Sequence, residues 1–99
     1  MIAMRPLEVF NQHRDAIRRM VLTSGMSNPR LFGSTARGED EEDSDLDLLV
    51  DPSPDTSLLD LAKLEVEIQR ATGIRVDVRT PKFLPERFRS QVLAEAVPV

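Results

Sequence analysis

The sequence predicts a small α/β (α+β) domain, a mixed sheet of about three or more strands flanked by helices, and three observations carry that prediction. Two segments, Pro6 to about Thr23 and about Thr56 to Thr72, repeat apolar residues at the spacing of a helix with one buried face. Two shorter ones, Leu46 to Val50 and Ile74 to Arg79, are apolar or alternating and are bounded by turn residues. The chain then runs helix, strand, turn, strand, helix, strand, helix, an order that packs helices against a sheet.

Each element has its own justification. In the first helix Leu7, Phe10, Ile17 and Met20/Val21 share a face, and Arg14, Arg18 and Arg19 lie largely elsewhere. Ser24-Gly25 and Ser27-Asn28-Pro29 break it. Arg30-Leu31-Phe32 forms a short strand, and Ser34 to Arg37 begins a helical turn with free N–H groups, ended by Gly38. Leu46 to Val50 makes the next strand, stopped by Asp51-Pro52-Ser53-Pro54. The second long helix takes Asp55 or Thr56 as its N-cap, Leu58, Leu61, Leu64, Ile68 and Ala71 as its apolar stripe, and Gly73 as its stop. In Ile74 to Arg79, Ile74, Val76 and Val78 share one face and Arg75, Asp77 and Arg79 the other. Pro85 opens a last helix with Phe88, Val92 and Leu93 turned inward.

Length and composition set the frame. The 99 residues suit a single domain over residues 1–99 with one core. Apolar residues at 40% and charged residues at 30% describe a globular chain without an apolar run long enough for a membrane span or a signal peptide. The absence of cysteine removes disulfides and thiolate metal sites and fits a reducing cytoplasm. The net charge of −4 is local: Glu39 to Asp47 holds seven acids and no base, and the remainder is +3. Eleven of the thirteen bases are arginine, suited to forked contacts with phosphate or carboxylate. No dense basic stripe argues for direct nucleic-acid binding.

The acidic segment ends in the pattern that says most about function. Gly33-Ser34 is followed, ten residues later, by Asp45-Leu46-Asp47. Residues two apart on a strand share a face, so Asp45 and Asp47 project together while Leu46, Leu48 and Val50 turn into the core. Two close carboxylates repel unless a cation neutralises them, and hard oxygen ligands favour Mg²⁺, which usually also takes substrate phosphate oxygens. A glycine turn beside such a pair lets a phosphate approach the backbone.

This pattern resembles the signature of the polymerase-β-type nucleotidyltransferases. The flanking Gly33-Ser-Thr-Ala-Arg-Gly38 and Ser44-Asp-Leu-Asp-Leu-Leu-Val50 are similar to the minimal nucleotidyltransferases within that superfamily. The resemblance implies the small nucleotidyltransferase fold and a role for each matching residue. Gly33 and Ser34 would meet the nucleotide phosphates, Asp45 and Asp47 would ligate metal, and Asp77 would be the third carboxylate, a metal ligand that also helps deprotonate the acceptor. Two Mg²⁺ ions are expected, about 3.5–4 Å apart in such sites, with ATP as substrate. Arg37 is a candidate phosphate contact, or else a salt bridge to the acidic loop. Asp77 has the competing reading of an ion pair with Arg75 or Arg79.

Other candidates lead nowhere. Glu39 to Asp43 reads as a solvated loop without EF-hand spacing, and His13 is the only histidine, too few for a zinc site. Gly33-Ser34-Thr35 lacks the Gly-Lys-Ser/Thr ending of a P-loop. With no Tyr or Trp and four Phe, base-stacking platforms are few. The minimal family implies an antitoxin partnered with a HEPN-domain ribonuclease toxin, which it neutralises by moving AMP from ATP to a toxin tyrosine hydroxyl. The alternative is a non-catalytic antitoxin that masks the toxin by binding. A third reading is transfer to RNA or a small alcohol.

Overall fold

The computed structural model describes residues 4–99. Helix α1 (Pro6–Thr23) opens on Pro6, whose missing N–H is one that a first helical turn leaves unpaired anyway. The Leu7 N–H donates to Asp40 Oδ2 at 2.9 Å, so a carboxylate from the acidic segment closes the helix start. Strand β1 (Ser27–Leu31) leads through Phe32 into α2 (Gly33–Arg37), which ends at Gly38 in the left-handed conformation. Strand β2 (Leu46–Asp51), α3 (Leu58–Thr72) and β3 (Val76–Arg79) follow. A 3-10 turn (Pro81–Phe83), α4 (Glu86–Glu95) and β4 (Val97–Pro98) complete the chain.

The sheet order is β3-β2-β1-β4. β1 pairs antiparallel with β2 and β4, and β2 pairs parallel with β3, so the sheet is mixed as expected. The α3 crossover between β2 and β3 is the connection a parallel pair requires. Helices α1 and α3 pack on one face, where Phe10, Ile17, Val21, Leu64 and Ile68 meet Leu46, Leu48, Val50, Val76 and Val78. On the other face a small cluster of Phe32, Leu49 and Leu84, joined by Val92 of α4, leaves the rest of the sheet open. Alternation puts Asp47 and Asp77 on this second face. No helix among the described residues is long and apolar enough to cross a membrane.

Several expectations are corrected. Ser27-Asn28-Pro29 belongs to β1, with a register irregularity between Ser27 and Arg30 where Asn28 takes φ 50°. The α3 cap is Ser57, whose side chain accepts the Asp60 N–H while the Asp60 carboxylate accepts the Ser57 N–H. Leu58 and Ala71 lie exposed, leaving Leu61, Leu64 and Ile68 as the buried stripe. Pro85 is the α4 cap, and Phe88 and Leu93 face outward; only Val92 of the expected three packs inward. The β4 strand was not foreseen. Asp40 is buried, because it caps α1, while its neighbours Glu39 and Glu41 to Asp43 are exposed.

Candidate active site

The glycine turn and the carboxylate strand are stitched together before any ligand is considered. The Phe32 N–H donates to the Asp47 carbonyl at 3.1 Å. Gly33 then takes φ 62°, a left-handed conformation that an L side chain rarely adopts. A Cβ at this position would stand 2.6 Å from Asp47 Oδ2, so the turn and the carboxylate touch only because position 33 has no side chain. The buried Thr35 hydroxyl donates to the Phe32 carbonyl at 3.1 Å and accepts the Asp47 N–H at 3.2 Å. Ser34, half-buried at the start of α2, is thereby held at a fixed place beside β2.

The three carboxylates come from neighbouring positions. Asp47 and Asp77 are direct register partners across β2 and β3, and Asp45 lies just ahead of β2. Asp47 is half-buried, and its carboxyl is pushed up to about 6, first by burial and then by the charges of Asp77 and Asp45. Arg79 and Arg37 oppose that rise without cancelling it. The outer two acids have counterions: Arg75 Nε lies 3.0 Å from Asp45 Oδ1, and Arg79 Nε lies 3.0 Å from Asp77 Oδ2. Arg75 also donates to the Asp43 carbonyl.

Among the described residues, no three acidic, His or Cys side chains are gathered closely enough to hold a metal ion as they lie. The chemistry of the donors still fits a hard divalent cation: three carboxylates on adjoining positions, one of them holding its proton more tightly than usual, first because it is buried and then because its neighbours are anionic. Two exposed ion pairs stand between that donor set and a closed cage. Such pairs are weak, worth about 0–1 kcal/mol, and yield to a divalent charge.

Arg37 does not point to open space. It bridges Glu39 at 3.0 Å and Glu95 of α4 at 3.3 Å, tying α2 to the last helix. The sequence reading missed Thr35 and Glu95. Nothing in the sequence marks Glu95, but a Thr inside a glycine-bounded turn beside a strand is a signal that a hydroxyl completes the backbone bonding there.

A family model described as "Nucleotidyltransferase domain" matches residues 11–99. The chain belongs to the nucleotidyltransferase-domain family. Within it, the chain is 34% identical over 98 residues to the protein adenylyltransferase MntA of Thermococcus cleftensis, covering 98% of this chain and 96% of the relative. It is 37% identical over 89 residues to a Methanocaldococcus jannaschii protein provisionally named a protein adenylyltransferase, covering 90% and 96% respectively. A solved structure provisionally described as a minimal nucleotidyltransferase superposes with a TM-score of 0.84 at 43% identity, covering 94% of this chain and 95% of that one. A chain from a toxin–antitoxin crystal structure with AMP-PNP superposes at 0.73 over 85% of this chain and 69% of its own length. At 19% identity that likeness concerns the fold alone. This nucleotidyltransferase therefore has the minimal fold, with the sheet, turn and carboxylate strand in one unit.

Proposed function

We propose that this nucleotidyltransferase is a protein adenylyltransferase acting as an antitoxin, which moves AMP from ATP to a tyrosine hydroxyl of a HEPN ribonuclease toxin. The observation that carries the reading is the placement of Gly33 against Asp47, with Asp77 as its register partner. It supports the reading because a glycine turn without a side chain and two acids share one patch. In this account Gly33 and Ser34 would receive the β- and γ-phosphates, and Asp45, Asp47 and Asp77 would hold Mg²⁺. The ion supplies neutralisation of the triphosphate and a more acidic acceptor hydroxyl. The acceptor oxygen bonds to the α-phosphorus, the bond from that phosphorus to the β-bridging oxygen breaks, and pyrophosphate leaves with the electron pair. The hydroxyl proton passes to the Asp77 carboxylate. Arg79, now paired with Asp77, is free to turn to the triphosphate once that carboxylate is engaged.

The relatives named protein adenylyltransferase support the transfer, and the toxin–antitoxin structures of the same fold support the partner. A bulky anion installed beside an RNA-cleaving site would block substrate by charge and volume. The test is substitution of Asp45→Asn together with Asp47→Asn in cells expressing the toxin. Loss of protection with the complex intact is expected. One observation favours a second reading: the Arg75–Asp45 and Arg79–Asp77 pairs hold two of the three acids. If protection survives the double substitution, the chain works by masking its partner.

A further inference from the structure

Helix α3 is apolar on two sides, and the sheet uses only one of them. Leu61, Leu64 and Ile68 are buried in the core. On the opposite side Leu59, Ala62 and Val66, spaced i, i+3 and i+7, form a second stripe, and all three are exposed. Leu59 is 63% exposed and Val66 46%. Together with Lys63, Glu67 and Arg70 they line a groove of about 370 Å³. A surface helix usually keeps its outer face polar, so a contiguous aliphatic stripe there marks a surface that something covers. None of the six groove residues belongs to the candidate active site.

We infer that this face pairs with the same face of a second copy of the chain, the two α3 helices lying antiparallel about a two-fold axis. Charge complementarity selects that occupant. Along one flank of the stripe the charges run Asp60, Lys63, Glu67, Arg70, alternating in sign and cancelling in sum. Read from the other end, the same series is base, acid, base, acid. In an antiparallel pair like flanks meet, so Lys63 reaches Glu67 of the second copy and Asp60 reaches its Arg70, and symmetry makes each contact twice. Both pairings are centred on Glu65, so a single register satisfies them. Glu65 itself stays out of the seam, because its carboxylate accepts the Val78 N–H at 3.1 Å. A parallel pair would set the charged flank against Leu58, Ala62 and Gln69, which offer it no counter-charge. The four charges are available: among the described residues none is in an ion pair, and only Asp60 has a side-chain hydrogen-bond partner, the capping Ser57. A uniformly acidic or basic partner would gain from half of the series what it loses to the other half. Exposed ion pairs of this kind set the register, and the apolar stripe supplies the affinity.

The experiment is sedimentation velocity of the chain alone from about 1 μM to about 1 mM, the range in which an interface built on one helix is expected to dissociate. Wild type should pass from monomer to dimer as its concentration rises. Val66→Asp and Lys63→Glu should each weaken the dimer about tenfold or more, and Phe88→Ser, at an exposed position of α4, should leave it unchanged. The decisive arm mixes Lys63→Glu with Glu67→Lys. Each variant alone sets like charges against each other across the axis, whereas the mixture restores an opposite charge at both contacts. The two should therefore associate with each other more tightly than either does with itself. Melting temperature checks folding, and the charge variants, confined to exposed positions, keep the proposal falsifiable if Val66→Asp does not fold. A chain that stays monomeric throughout would overturn the inference, as would α3 variants that all dimerise as wild type does. Charge variants that fail to associate when mixed would overturn the antiparallel pairing. A monomeric chain that binds its neighbouring-gene product, and loses it with Val66→Asp, would overturn the inference by giving the face to that partner.

Discussion

A methyl group at position 33 would meet the Asp47 carboxylate at 2.6 Å and would also have to adopt φ 62°, so two independent costs fall on one substitution. Gly33→Ala is expected to lower stability by about 1–3 kcal/mol and to push Asp47 away from the turn. Chemical denaturation measures the first effect, and titration with an ATP analogue measures the second as weakened binding. Asp47 itself carries a pH signature. Its carboxyl rises from an ordinary 3.8 to about 6 in the folded state, chiefly by burial. A raised folded value means that the native state holds the proton more tightly than the unfolded chain does. The resulting stabilisation is full below about pH 4 and is lost as pH climbs through about 6. If the carboxylates hold Mg²⁺ as proposed, the ion must displace that proton, so it should raise the melting temperature more at pH 7 than at pH 5, and chelation should reverse the gain. Asp47→Asn should flatten both dependences, and melting curves with and without Mg²⁺ check this. At this scale the sequence was eloquent about Gly33 and Asp47, because fixed spacing and strand alternation expose them. It was silent on Asp40, which looks like any acid of a solvated run until the α1 terminus arrives to bury it.

Among the elements, the contact that matters most for the site joins α2 to β2 through Thr35. Its hydroxyl both donates to the Phe32 carbonyl and accepts the Asp47 N–H, so Thr35→Val takes this partner from the part-buried Asp47 N–H and leaves the Phe32 carbonyl only the Ala36 N–H at 3.4 Å, while keeping the shape. The expected cost is about 1–3 kcal/mol, together with weaker nucleotide binding, and Thr35→Ser should restore both. Denaturation and analogue titration on the two variants separate a lost hydroxyl from a lost methyl. The edge strand β3 is guarded by α3: Glu65 accepts the Val78 N–H at 3.1 Å and Gln69 donates to the Val76 carbonyl at 3.3 Å. Strong periodicity made α1, α3, β2 and β3 legible in advance, since each buries a clean apolar face. The first residues of β1 were hidden because Asn28 and Pro29 read as a turn. In the structure Asn28 Nδ2 bonds Asp51 at 3.1 Å and Arg30 forks onto the same carboxylate, anchoring the irregular stretch. The two-residue β4, with Pro98 at the sheet edge, carries too little pattern to be seen. Phe88 and Leu93 misled because α4 covers little of the sheet, so only Val92 finds a core to join.

Across the whole molecule, charge and shape tell one story. The acidic segment that gives the chain its net −4 is met by arginines from separate elements: Arg37 on Glu39, Arg75 on Asp45, and Arg79 beside it on Asp77. These bases can stay with the carboxylates or turn to a triphosphate, and the open face of the sheet leaves room for either. The fold itself was readable because a mixed sheet flanked by helices follows from the element order. The arginine pairing was not, because it depends on which strands become neighbours. The central claim is that this chain alters its partner covalently. It is tested by co-expressing the chain with its neighbouring-gene product, adding ATP and Mg²⁺, and taking intact masses of both proteins. The account predicts a partner heavier by one or more AMP units, with the gain lost in Asp45→Asn. Two unmodified proteins in a stable complex would contradict it.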